Sequence, residues 1–148
     1  AVHAVIDKRH IPDAREFLRR GNMRENELWH FNEAFLDAFE GKLRDAIRHY
    51  RDATSGSIPP EVEAEIEDFM NWALVAEPEK YQFYYCLGFF NWKVRGDETL
   101  ASKYFAEFLT RCKPGEFEKE RERATTWLNE IEQKNLPGVV QSIQGQNP

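Results

Sequence analysis

His30 and Glu33 stand three residues apart, a spacing that puts two side chains on one face of a helix where they can share a metal ion. His49 could join them. Zinc and di-iron centres, however, need further histidines or carboxylates at matching spacing on facing helices, and the sequence alone declares no such set. No metal and no other cofactor is therefore expected. Cys86 and Cys112 lie among aromatic residues, a setting that makes buried, inert thiols rather than nucleophiles. The chain has no Gly-rich phosphate loop and no Gly-x-Ser-x-Gly turn, so no catalytic residue is assigned and the expectation is a protein that is not an enzyme. Seven acidic residues fall between positions 61 and 79 without a base among them. They read as a helix start enriched in acids, as the helix dipole favours.

These residues must be carried by helices. Between positions 12 and 134 only seven residues are Val or Ile, too few to build strands. Apolar residues instead recur every three or four positions, between Pro and Gly punctuation. The pattern predicts helices over 12–21, 24–39, 42–54, 61–76, 79–95, 98–112 and 116–134, with a loop at 54–60. Helix 79–95 is apolar nearly all round and belongs in the middle of the molecule. Helix 116–134 carries a narrow stripe of Phe117, Ala124, Trp127, Leu128 and Ile131, and its charged remainder suits a capping helix. One domain over 11–134 is expected, with flexible tails at 1–10 and 135–148.

Composition bounds the class. The 148 residues suffice for one domain with a real core, and 20 of them are aromatic, which suits packing between helices. No apolar run approaches the ~20 residues that cross a bilayer, so no membrane association is expected. Two cysteines fit a reducing compartment, and a cytoplasmic location is the expectation. A net charge of −6 argues against nucleic acid as a partner. The charge is uneven: residues 1–24 hold six Lys or Arg against three Asp or Glu, which reads as a solvated face.

The stretch Ala73-Leu74, Pro78, Tyr84, Leu87-Gly88, Gly96, Ala101, Phe105 and Pro114 resembles the tetratricopeptide (TPR) repeat. That pattern sets an aromatic, a Leu-Gly pair, a bend glycine, an alanine, an aromatic and a closing proline in this order. A weaker copy spans 27–60, with Glu33-Ala34 in place of Leu-Gly. The resemblance implies an all-α stack of antiparallel helical hairpins, about seven helices in all, with one clear unit at about 79–114.

It also implies binding rather than catalysis. TPR-like stacks hold a partner's peptide or helix in the groove lined by the first helix of each pair. That inner face corresponds here to Phe31, Asn32, Phe35, Phe39, Tyr85, Phe89, Trp92 and Lys93. Such an aromatic groove calls for an apolar or amphipathic segment of another protein, or for a second copy of the chain. The competing expectation is a helical enzyme or ligand-binding domain with its pocket around helix 79–95.

Overall fold

A computed structural model describes residues 27–53 and 59–135 of the 148. The helix expected at 12–21, the loop at 54–58 and the two tails, Asn135 apart, lie outside the described residues. The described chain is all helical. Six α-helices follow in order: α1 (Glu27–Phe39), α2 (Leu43–Ala53), α3 (Pro60–Ala76), α4 (Gln82–Phe89), α5 (Glu98–Arg111) and α6 (Glu118–Lys134). A π-helical turn, Phe90–Val94, prolongs α4.

α1 and α2 form a hairpin. Phe31, Ala34, Phe35 and Ala38 repeat at helical spacing and are buried, and Leu43, Ala46, Ile47 and Tyr50 answer them from α2. The bend is a Schellman close: Lys42 N–H donates to the Asp37 carbonyl at 2.7 Å and Gly41 N–H to that of Ala38 at 3.0 Å. Gly41 takes φ +82 there, which a side chain would strain. α3 begins at Pro60, where a missing N–H costs nothing, and buries Ile66, Met70 and Ala73.

α4 is the hub. It packs against α5 and also touches α1, α2 and α3. Every residue of it except Tyr84 is buried. Even Gln82 finds a partner inside, donating from Nε2 to the Ala38 carbonyl at 3.1 Å.

The uniform helix expected over 79–95 is not what forms. Residues 78–81 are a turn, and the α-helical ladder widens after Phe89. Asn91 lies fully buried, and its Nδ2 donates to the Leu87 carbonyl at 2.9 Å, competing with the backbone for that acceptor. Arg95 N–H then reaches the Phe90 carbonyl, five residues back, at 3.1 Å. Arg95 is held in turn by Glu63 and Glu67 of α3. Two of the seven acids of the 61–79 run thus clasp α3 to the end of the π turn.

Asp97 caps α5, accepting from Leu100 N–H at 3.0 Å. α5 packs on α4 at Gly88, and α6 packs on α5.

Candidate functional site

Five of the eight residues expected to line a groove are buried. Phe31, Phe35, Phe39, Tyr85 and Phe89 are each 7% exposed or less. The aromatic groove is filled from two sides. Phe69 and Trp72 of α3 meet Phe35, with ring centroids 5.7 and 6.5 Å away. Trp127 of α6 stacks on Tyr85 at 5.5 Å and touches Phe89, Trp92 and Phe105 at 5.6–5.9 Å. Rows of rings at helical spacing are too apolar to stay open while the chain has helices to spare, and they become core. Asn32 and Trp92 remain half-buried, and Lys93 is exposed with its Nζ 3.7 Å from the centre of the Trp92 ring.

A cleft does open elsewhere, between α2 and α6, with a volume of about 910 Å³. Nothing in the spacing of its residues marks it in the sequence. Lys42, Arg44, Arg48 and Arg51 reach it from the α1–α2 bend and α2, and Arg123 from α6. Two acids, Asp45 and Glu120, share the lining, so five cations face two anions in a chain whose net charge is −6. Trp127 supplies the accessible apolar wall, and Leu43 and Ile47 lie buried at its base. The amphipathic design of α2 explains the placement: its apolar stripe faces the core, which turns Arg44 and Arg48 outward.

Local pairing trims this charge. Arg48 meets Asp45 at 3.3 Å, and Lys42 meets Glu40 at 3.3 Å, both in exposed positions where an ion pair is worth little. The Arg51 guanidinium lies 5.9 Å from the centre of the Phe89 ring. Tyr85 sits beneath the α6 wall. Burial pushes its phenol up, against the pull of the nearby Arg123. None of the residues lining the cleft is a Cys, Ser or His.

A second gathering lies on the seam of the α1–α2 hairpin. Glu33, Asp37 and His49 bring one oxygen or nitrogen each to within 4.8 Å of one another. His49 Nε2 lies 3.5 Å from Asp37 Oδ2, and its Nδ1 lies 3.1 Å from His30 Nδ1. Burial lowers the His49 pKa, Asp37 opposes that shift, and His30 and Arg48 add to it. His30, Glu33 and His49 stand out in the sequence, and Asp37 does not. Asp37 is one helical turn past Glu33 and reads as a polar residue in an apolar run until the hairpin closes over it.

The thiols are far apart in character. Cys86 is fully buried, and burial pushes its pKa up. Cys112 is partly exposed, and its Sγ donates to the Glu116 carbonyl at 3.3 Å. No described helix is long and apolar enough to cross a membrane. No protein-family model, curated protein or solved structure matches this chain.

Proposed function

We propose that the chain is a non-catalytic protein-interaction module, and that its α2/α6 cleft receives an acidic, amphipathic segment of a partner protein. The observation that carries this reading is the cleft itself, with five Lys or Arg against two acids in an otherwise acidic chain. Opposite charge steers a partner to such a surface and orients it. The half-buried Trp127 ring would take the hydrophobic side of the same segment. Arg is also a residue that interfaces favour, because its planar fork binds carboxylates bidentately.

The resemblance to TPR hairpins agrees with a binding role. Gly88 is where α5 comes closest to α4, with the Phe105 ring against it, which is compatible with the small residue of that pattern. The reading differs from the one taken from the sequence in its surface: the binding face is the basic cleft, since the aromatic rows are core. Two thiols without a disulfide suit a reducing compartment, which for this reading is the cytoplasm.

The test is fluorescence anisotropy with a labelled amphipathic peptide of Glu and Leu, and a Lys/Leu peptide of the same pattern as control. The double variant Arg44→Glu, Arg48→Glu changes exposed side chains and should keep the fold. It should weaken binding of the acidic peptide by roughly tenfold or more, and wild-type affinity should fall as salt rises. Equal binding of the Lys/Leu peptide, or an unaffected double variant, would overturn the assignment. So would tighter binding of a single-stranded oligonucleotide, which would mark a phosphate track instead.

A further inference from the structure

We propose that Glu33, Asp37 and His49 form a site for one divalent transition-metal cation of the zinc class, with His30 as the positioning residue. The site is independent of the basic cleft and lies on the seam that joins α1 to α2.

Glu33 and Asp37 are four residues apart and therefore share a face of α1. The hairpin brings His49 of α2 across from them. Ligand atoms bound to one tetrahedral ion at ~2.0–2.2 Å stand ~3.3–3.6 Å from each other. The 3.5 Å between His49 Nε2 and Asp37 Oδ2 is already such an edge. Glu33 completes the trio within 4.8 Å, a gap that a half-buried, long side chain closes by changing rotamer.

The surroundings favour a cation as well. The Asp37 side chain is only 8% exposed and that of His49 only 15%. Glu33 is half-buried beside them, and two carboxylates this close repel each other, a repulsion that a cation between them offsets. A metal-binding imidazole is ordinarily held through its other ring nitrogen, which fixes the tautomer and aims the lone pair. His49 has such a partner in His30, ring nitrogen to ring nitrogen at 3.1 Å, with the two rings tilted by 40°.

Donor chemistry selects the ion. One imidazole with two carboxylates suits zinc, cobalt or manganese, whereas calcium takes six to eight oxygens. Three protein ligands leave a fourth position open to water.

Isothermal titration of the chelator-treated full chain with zinc chloride tests this. One equivalent should bind in wild type, and added zinc should raise the unfolding midpoint progressively with its free concentration. Cobalt(II) in place of zinc should give the visible bands of a low-symmetry tetrahedral centre. Glu33→Gln, at a partly exposed position that should not disturb folding, should lose that equivalent or bind at least ~100-fold more weakly. His49→Asn and Asp37→Asn should do the same where they fold. His30→Phe should keep the stoichiometry and weaken binding by roughly 10–100-fold, as outer-shell partners do. The double variant His3→Ala, His10→Ala should bind as wild type. No binding by wild type, or binding unchanged in Glu33→Gln, overturns the site. Loss of binding in the His3/His10 variant overturns it too, since the ion would then sit elsewhere.

Discussion

Replacing Gly88 by alanine sets two physical effects of opposite sign against each other. Alanine is the better helix former by about 1 kcal/mol, so propensity alone makes Gly88→Ala stabilising. The tertiary structure says otherwise. An alanine Cβ at Gly88 would stand 2.5 Å from both Cδ1 and Cε1 of Phe105, about 1 Å inside ordinary carbon–carbon contact. Phe105 is fully buried and hemmed by Tyr85, Trp92 and Trp127, with centroids at 6.4, 6.2 and 5.6 Å, so its ring has nowhere to retreat. Overpacking of this kind costs roughly 1–3 kcal/mol, and the boxed ring argues for the upper end. The net expectation is a loss of about 2 kcal/mol, or a midpoint lower by roughly 4–8 °C for a chain of this size.

Thermal unfolding followed by circular dichroism reads it directly, and Gly88→Leu should be worse still. Trimming the obstacle supplies the control. Phe105→Leu in the Gly88→Ala background should cost less than the two single changes together, with a coupling of about 1–2 kcal/mol. A raised midpoint for Gly88→Ala, or strictly additive costs, would mean that α4 and α5 do not approach closely at this point. The TPR-like reading of that hairpin would go with it.

Three further outcomes follow from particular contacts. The buried Tyr81 hydroxyl donates to Glu116 Oε2 at 2.8 Å and accepts from Lys113 N–H at 3.3 Å, tying the start of α4 to the α5–α6 connection. Tyr81→Phe should cost about 1–2 kcal/mol in urea unfolding, with an unchanged slope, because it strands the backbone donor; no cost would mean that the bonds do not persist in solution. Iodoacetamide should modify Cys112 alone in the folded protein and both thiols in denaturant, read by mass spectrometry. An adduct on native Cys86 would contradict its burial. Glu98 is held below the usual carboxylate range by donors from Lys134 and then Asn135, so it adds stability above its ordinary pKa that is lost as the pH falls through the lower folded value. Glu98→Gln should flatten that acid limb of a stability–pH curve and leave its alkaline side unchanged.

Local information was enough for most of the described helices. The three-to-four spacing of Phe31, Ala34, Phe35 and Ala38, of Leu43, Ala46, Ile47 and Tyr50, and of Ala101, Phe105 and Phe108 places an apolar stripe on each, and those stripes are buried. Pro60, Gly41 and Asp97 mark boundaries where the chain does start or stop a helix. The place of helix 79–95 at the centre was legible too, because a helix apolar all round has no face to give to water. Its π turn was not, since that depends on where the buried Asn91 amide finds an acceptor.

Sequence periodicity says that a face is apolar but not what covers it. Phe35 and Tyr85 looked like the lining of a groove, and only the docking of Phe69 and Trp72 on one and Trp127 on the other makes them core. The same holds for charge. Summed along the chain the acids prevail, yet Arg44 and Arg48 of α2 face Arg123 of α6 across one cleft, because packing turned those two polar faces toward each other. Asp37 meets His49 for a similar reason: a hairpin bend, not spacing, sets two helix faces in register. Helices form from interactions within a turn or two of chain, so their signals survive in the sequence. Clefts and ligand clusters form between residues far apart in it, and only the free energy of packing the whole molecule selects them.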